Sequence, residues 1–239
     1  RSKVLVLSED KDIFGGELDN TILKDQLNLM RVGEPMYVFY GYVEDGYDEN
    51  GHIVYKNMDD DPAITAADKT IIGDPNPDFL VNLTTAVSYK GFTLSAFFQS
   101  SIGNDIYSLS MAAQAYDYGY NGNTLREVYY NHWTPENPTA KYPNLDQTSY
   151  KMSDRFVYDG SFVRLKNLEL AYDVPCARNK FIKRARVYVS AQNLFTITSY
   201  PFWDPDINAN GGGSSMIQGV DSYCYPSART YTIGCRLTF

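Results

Sequence analysis

Histidine and cysteine are scarce in this sequence, and they occur without the spacings that are typical of catalytic and metal-binding sites. His52 and His132 have no partner residue at a recognisable spacing, and no Walker loop, G-x-S-x-G, H-E-x-x-H or G-x-G-x-x-G motif is present. Cys176, Cys224 and Cys235 form no C-x-x-C pair, which argues against a zinc site and a full disulfide framework. We therefore expect a protein that is not an enzyme and that requires no cofactor.

Positive charge and long apolar runs are scarce as well. The 239 residues include 21 Lys and Arg against 29 Asp and Glu, and this net charge of −8 without a basic cluster argues against a nucleic-acid partner. No run of about 18 apolar residues predicts a transmembrane helix, although membrane-crossing strands give a far weaker signal. The chain begins without an initiator Met or signal peptide, and residues 4–7 are typical of the middle of a strand, so we expect a piece of a longer protein.

Alternation of apolar and polar residues is the strongest pattern that is present. Residues 79–101 alternate on both sides of Lys90 and Gly91, which predicts a hairpin with a very tight turn. Residues 161–174 and 184–197 predict a second hairpin with longer arms. Together with 15% aromatic residues, of which 21 are Tyr, these patterns predict a β-rich chain.

Three further features refine this strand pattern. The apolar parity changes between Leu165 and Leu168, which predicts a β-bulge. Residues 229–239 alternate to the end and predict a closing strand. Short turns alternate along the chain with long loops at 102–155 and 198–228, and this asymmetry is typical of outer-membrane barrels, whose periplasmic turns are short and whose extracellular loops are long.

Alternation alone leaves open which way the apolar face points, because a lipocalin-like soluble barrel alternates equally well with that face inward. Two observations favour lipid. The polar faces carry Thr, Ser, Asn and Gln more than Lys and Glu, and aromatic residues fall near strand ends, where an interfacial girdle lies. These aromatic residues are Tyr89, Phe92, Tyr172, Tyr188 and Tyr200. We therefore favour a membrane barrel over a soluble one.

Several segments resemble those of a known family, and they occur in that family's order and spacing across nearly the whole chain. They are "GEPMYVFYGY" (33–42), "DKTIIGDPNPDF" (68–79), "QSSIGNDIYS" (99–108), "WTPENPTAKYP" (133–143), "SFVRLKNLELAY" (161–172), "VYVSAQNLFTIT" (187–198) and "YPSARTYTIGCRLTF" (225–239). They closely resemble the C-terminal portion of SusC/RagA-type TonB-linked (TonB-dependent) outer-membrane transporters of Bacteroidetes. The resemblance implies an all-β fold, an antiparallel transmembrane β-barrel of about 22 strands with a plug, of which this chain would supply the C-terminal third.

The same resemblance divides the chain. Residues 1–239 would form the C-terminal part of the receptor barrel with long extracellular loops, and the plug domain would lie outside them. Within this part we expect partial strands in residues 1–34, and a strand, a hairpin and an Asp-rich extracellular loop in residues 35–78. Residues 79–239 would hold the barrel strands and the two long loops.

The function that the resemblance implies is energised import of large nutrients, oligosaccharides and in some members peptides, across the outer membrane. The implied partners are a SusD-like surface lipoprotein that closes over the extracellular loops, TonB–ExbBD acting through the missing N-terminal part, and the lipid bilayer. The implied location is the cell outer membrane, with the C-terminus on the periplasmic side. The alternative is a self-contained small outer-membrane or soluble β-domain for adhesion or glycan binding.

The Asp-rich segment 57–68 has the length of a calcium-binding loop. Its candidate oxygen ligands are Asn57, Asp59, Asp61 and Asp68. A cation that holds these clustered carboxylates together would be physically sensible. Against calcium, Pro62 stands where an EF-hand loop needs Gly, and Asp68 is shorter than the usual bidentate Glu. Calcium is a candidate cofactor, and a solvated acidic loop is the alternative.

Aromatic loop residues and one neighbouring carboxylate are the candidate contacts with a substrate or with the lipoprotein lid. They are Trp203, Phe202, Asp204, Trp133, Tyr118 and Tyr120. Aromatic faces stack on sugar rings or bury against a protein partner. Packing of the loops against one another is an equally good alternative. The family's usual Tyr-x-Gly-x-Asp-Pro-Glu reads "YPFWDPD" here, so that Phe202 replaces Gly and predicts a bulkier loop.

The closing strand carries a further expectation. By the same resemblance, Tyr231, Ile233, Leu237 and Phe239 form a C-terminal signal that the barrel-assembly machinery reads. Because Tyr231, Ile233, Cys235 and Leu237 share one parity, we expect all four side chains to point away from the barrel interior.

Overall fold

The computed structural model describes residues 2–8, 11–19, 24–116, 123–176, 181–207 and 217–239. The chain divides into two compact units. The first unit comprises residues 1–77, 104–159 and 207–224, and the second comprises residues 78–103, 160–206 and 225–239.

Strands are the main regular structure of the described residues, and helices are few, as the all-β expectation requires. The strands are β1 (Ile13–Asp19), β2 (Lys24–Met30), β3 (Val38–Gly41), β4 (Glu44–Tyr47), β5 (Ile53–Tyr55), β6 (Thr70–Gly73), β7 (Phe79–Tyr89), β8 (Phe92–Ile102), β9 (Asp105–Ser108), β10 (Val157–Asp159), β11 (Phe162–Val174), β12 (Arg184–Thr198), β13 (Val220–Asp221) and β14 (Thr230–Thr238). The helices are α1 (Leu109–Tyr116) and α2 (Arg126–Tyr130), with 3-10 turns at Ala66–Asp68 and Asp154–Phe156. No helix among these described residues has the length and apolarity needed to cross a membrane.

The first unit holds three small sheets. Their strand orders are β1-β2-β3-β6, β10-β9-β13 and β4-β5. The core is rich in aromatic residues: the rings of Tyr116 and Tyr150 stack with centroids 3.7 Å apart, and Phe156 meets Tyr116 edge-on. Edge-on ring pairs such as that of Phe156 and Tyr116 add to the free energy gained from burial alone.

The second unit is a five-stranded antiparallel sheet in the order β14-β12-β11-β8-β7. Both predicted hairpins and the closing strand are confirmed. In the first hairpin, Lys90 (φ 46°) and Gly91 (φ 86°) join Tyr89 directly to Phe92. Positive φ at both central residues is the geometry of a type I′ turn, whose twist matches that of the flanking strands.

The predicted β-bulge is also confirmed. Pairing along β11 shifts register between Leu165 and Asn167 against both of its neighbours, β8 and β12. On β12 the shift leaves Asn193 and Leu194 between the paired positions, and Asn193 is in the left-handed region at φ 51°. Asn tolerates this conformation better than most residues, so the bulge is compatible with the local sequence.

Register in this sheet places apolar residues from each of the five strands on one face. One row across the strands runs Val87, Leu94, Leu170, Val189 and Ile233. The neighbouring row on the other face runs Ala86, Ser95, Glu169, Ser190 and Thr232. Because side chains alternate along a strand, one register fixes the sidedness of the whole sheet.

Two expectations about particular segments are wrong. Residues 4–7 are not in a strand, because the segment makes only isolated backbone bonds at Val4, to Gly33 and Glu34, and Leu5 and Val6 are exposed. The segment 102–155 is not simply a loop, because it contains β9 and both helices.

The interval 198–228 likewise holds β13, which pairs in parallel with β9 inside the first unit. Helix α1 is almost wholly buried. The strand pattern did not predict it, because its apolar residues do not alternate with polar ones.

Candidate functional site

An arginine buried in β11 organises the loop end of the second unit. Arg164 has 1% of its surface exposed, and its guanidinium donates to Asp204 Oδ1, to Asp206 Oδ2 at 3.2 Å and to Ser227 Oγ at 3.2 Å. Its Nε donates to Thr196 Oγ1 at 2.9 Å. A buried charge is tolerated only when it is paired and hydrogen-bonded in this way.

The carboxylate of Asp204 accepts hydrogen bonds from two backbone N–H groups as well as from Arg164. The backbone N–H of Asp206 donates to Oδ1 at 2.9 Å, and the backbone N–H of Ser227 donates to Oδ2 at 2.8 Å. Burial acts to raise the pKa of Asp204, but the Ser227 and Asp206 N–H groups and the Arg164 guanidinium outweigh it and hold that pKa below its usual value. Asp204 therefore stays ionised and joins the segments before and after the long loop.

A cavity of about 350 Å³ lies beside this network. Strand β12 contributes Asn193, Thr196 and Thr198 to its lining, and the loop contributes Trp203 and Pro205. The remaining lining residues are Arg164, Asp204, Pro226, Ser227 and Arg229. The volume lies at the lower end of the roughly 300–1,000 Å³ that is usual for small-molecule sites.

Two of the predicted contact residues, Trp203 and Asp204, line this cavity, and a third, Phe202, packs against Trp203. Phe202 and Trp203 stack with centroids 4.9 Å apart and planes 14° from parallel. Trp203 is 59% exposed, whereas Asp204 is buried in the ion-pair network. Asp204 is thus positioned to hold the loop rather than to contact a partner, while Trp203 presents an aromatic surface.

The other predicted contact residues are placed elsewhere. Trp133 belongs to the first unit, where its half-buried ring lies against Gly51 so closely that any side chain at that glycine would collide with it. This is the packing of one loop segment against another. Tyr118 and Tyr120 lie outside the described residues.

The Asp-rich loop is held by bonds to its own backbone. Asn57, Asp59 and Asp61 each accept, through a side-chain oxygen, the N–H two residues further along the chain. Asp68 accepts from the N–H groups of Met58 and Thr65, both at 2.7 Å. These bonds, from Met58 first and then Thr65, lower the pKa of Asp68.

No group of three or more His, Cys, Asp or Glu suited to a metal ion occurs in the part of the chain that the structure describes. The calcium ligand set Asn57, Asp59, Asp61 and Asp68 therefore stays a prediction. The loop has an internal set of backbone bonds that orders it without requiring an ion.

Three of the predicted C-terminal signal residues, Tyr231, Ile233 and Leu237, lie on β14, the edge strand of the sheet, and Phe239 follows directly after it. Tyr231 and Ile233 are 71% and 84% exposed, and Leu237 and Phe239 are exposed as well. Ile233 lies opposite Val189, and Leu237 lies opposite Ala185, so both belong to the apolar face. Their outward direction in a closed barrel stays a prediction.

Sequence reasoning missed the residues on which the loop geometry depends most, Arg164, Asn193 and Ser227. A signal for Arg164 existed, because Arg164 and Lys166 are two positive charges near the start of a strand, and a later loop carries the two carboxylates of "DPD". Nothing in the local sequence connects Ser227 to Asp204, since this contact spans 23 residues.

Known proteins are similar to this chain in both sequence and fold. TonB-dependent receptor P3 of Formosa agariphila is 31% identical over 260 aligned residues, which cover 100% of this chain and 26% of that receptor. TonB-dependent receptor SusC of Bacteroides thetaiotaomicron is 30% identical over 215 residues, covering 87% of this chain and 20% of SusC. No family model matches the chain.

Solved structures agree with these relatives. The RagAB peptide importer in its open-open state superposes with a TM-score of 0.74 at 25% identity, covering 99% of this chain and 25% of that chain. The RagAB peptide transporter gives a TM-score of 0.75 at 26% identity, covering 93% and 24%. The chain thus spans about a quarter of the length of its relatives. It belongs to the TonB-dependent outer-membrane receptors of the SusC/RagA type.

Proposed function

We propose that the protein to which this chain belongs imports large nutrients across the outer membrane with energy delivered by TonB. The observation that carries this proposal is the match of the whole chain to TonB-dependent receptors in sequence and in fold. The structurally similar RagAB proteins are a peptide importer, and oligosaccharides are the cargo that the family resemblance implies. Both classes are too large to pass through a simple porin.

The two faces of the five-stranded sheet support a barrel position for the second unit. Its apolar face is exposed across all five strands, and soluble monomers rarely expose a continuous apolar surface of this extent. We propose that this face contacts lipid and that the polar face borders the lumen. On this arrangement the tight turn at Lys90 and Gly91 and the end of β14 lie on the periplasmic side, and the loop with Trp203 lies on the extracellular side.

We further propose that a SusD-like surface lipoprotein closes over these loops. Trp203, which is exposed and stacked on Phe202, supports this, because exposed aromatic residues anchored on a rigid base are typical of binding surfaces. The base is rigid here because the buried Arg164–Asp204 ion pair fixes the start of the loop.

The test is uptake by cells that carry or lack the receptor. Cells without it should lose growth on one or more nutrients in a panel of oligosaccharides and oligopeptides, while growth on the corresponding monomers is unchanged. Collapse of the inner-membrane proton gradient should abolish uptake of the same nutrient. A lipoprotein should copurify with the receptor in mild detergent. Uptake that persists without the gradient would show passive diffusion and would contradict energised import.

A further inference from the structure

The cavity beside Trp203 presents polar groups that its own ion-pair network leaves unused. The Oδ1 atom of Asn193 is buried and accepts no hydrogen bond from the described residues. The Thr196 hydroxyl accepts from Arg164 Nε, and no bond donated by it to another described residue is found. Arg229 is exposed, and no carboxylate of the described chain lies within ion-pair distance of it.

The unpaired oxygen of Asn193 is not an accident of side-chain orientation. The Nδ2 atom donates to the carbonyl oxygen of Ala228 at 2.9 Å, which fixes which end of the amide is the nitrogen. The backbone of Asn193 is held at φ 51° by the bulge in β12. Left-handed residues and bulges concentrate at functional sites, and a buried acceptor without a donor costs free energy unless a ligand supplies one.

The aromatic wall of the cavity is a flat plate rather than a pocket. Phe202 covers one face of the Trp203 indole, and the indole is still 59% exposed. A plate of this kind suits the C–H face of a sugar ring, whereas an apolar side chain of a peptide would need an enclosing apolar pocket. The adjoining Thr196 and Asn193 groups match ring hydroxyls, one as donor and one as acceptor.

We propose that this cavity binds a sugar ring that bears a carboxylate, such as a uronic acid unit. Trp203 stacks on the ring, Asn193 Oδ1 and the Thr196 hydroxyl bind its hydroxyls, and the unpaired guanidinium of Arg229 binds the carboxylate. The cavity volume of about 350 Å³ has room for one or two rings. This proposal rests on the import function above and specifies the chemical class of the cargo at one site.

The experiment is calorimetric titration of the whole receptor in detergent with four probes. These are digalacturonate, its dimethyl ester, glucuronate and its methyl ester. At least one acid should bind more tightly than its ester. Arg229→Gln should reduce the affinity for that acid by about tenfold or more, to the level of the ester, because it removes a hydrogen bond to a charged group. Trp203→Ala should abolish binding of acid and ester alike.

The matched control is Arg236→Gln, which removes an exposed arginine from β14, the strand that begins directly after Arg229, but does not alter the cavity lining. Its affinities should equal those of the unmodified receptor. The inference is overturned if acids and esters bind equally, if none of them binds, or if the acidic dipeptide Glu-Glu binds and the sugars do not. Gel mobility with and without heating verifies that each variant is a folded barrel.

Energised uptake of the receptor's own nutrient is measured in parallel, so that the two proposals can fail separately. Loss of the acid preference with uptake intact overturns only the uronate assignment. Binding of a uronate by a receptor whose uptake does not depend on the proton gradient overturns only the import function.

Discussion

Arg164 and Asp204 illustrate how one buried ion pair can fix a loop at the end of a strand. Arg164 is satisfied by four side chains, and Asp204 accepts three hydrogen bonds. The net contribution of such a pair is small, because desolvation offsets the attraction between the charges. Removing one partner alone is far more costly, since the remaining charge stays buried.

We therefore expect Arg164→Ala to destabilise the receptor by about 3–5 kcal/mol. The control is Arg184→Ala on the neighbouring strand, where the ion pair to Asp173 is exposed and long, at 3.4 Å, so that its loss should cost at most about 1 kcal/mol. Urea unfolding of both variants in lipid vesicles, followed by intrinsic fluorescence, measures the difference. Equal effects of the two substitutions would contradict the assigned role of Arg164.

Asp204 also gives the loop a defined response to acid. Its folded pKa is lowered, so the unfolded chain binds the proton more readily. The stability that Asp204 contributes is present above its unfolded pKa of about 3.9 and is lost as pH falls through its folded pKa. Asp204→Asn should therefore lower stability at pH 7 and flatten its decline below about pH 4. Unfolding midpoints of both proteins, measured from pH 7 to below about pH 4, test this prediction. An equally steep loss of stability with acid in Asp204→Asn and in the original protein would refute it.

At the scale of the elements, the hairpins could be predicted because their signals are local. The alternation of apolar and polar residues in β7 and β8 predicts which side chains share a face. Lys90 and Gly91 alone form the turn between the two strands. The pairing of β9 with β13 could not be predicted, because the two strands are far apart in the sequence. The hydrogen bond beside this pairing, from the Ser110 hydroxyl to the Asp221 carbonyl oxygen, spans 111 residues. The cavity was missed for the same reason: Asn193, Trp203 and Arg229 are brought together by tertiary structure alone.

Gly91 is the most constrained position of the first hairpin. A Cβ there would lie 3.1 Å from Tyr172 Cε2, and φ of 86° is strained for any L-residue. Gly91→Val should cost about 1–2 kcal/mol or more and lower the yield of folded barrel. Lys90→Asn is the matched control at the adjacent turn residue, where φ of 46° suits Asn, so its stability should equal or exceed the original. Refolding into vesicles, scored by gel mobility, distinguishes these outcomes.

At the scale of the whole molecule, the decisive question is which face of the five-stranded sheet meets lipid. Ile233 and Thr232 are neighbours near the middle of β14 but belong to opposite faces, paired with Val189 and Ser190 respectively. A lysine on a lipid face costs about 2–4 kcal/mol near the bilayer midplane, whereas a lumen-facing lysine keeps its water. Neither position lines the cavity beside Trp203, so ligand binding does not confound the comparison.

We therefore expect Ile233→Lys to destabilise the barrel by about 2–4 kcal/mol in vesicles and Thr232→Lys to be nearly neutral. The pair is matched in charge, strand and depth, so only sidedness differs between the two variants. Unfolding free energies from urea titration in bilayers of one composition measure both. The reverse order of the two effects would place the apolar face away from lipid, and the soluble β-domain with its apolar face inward would then be the better description of this sheet.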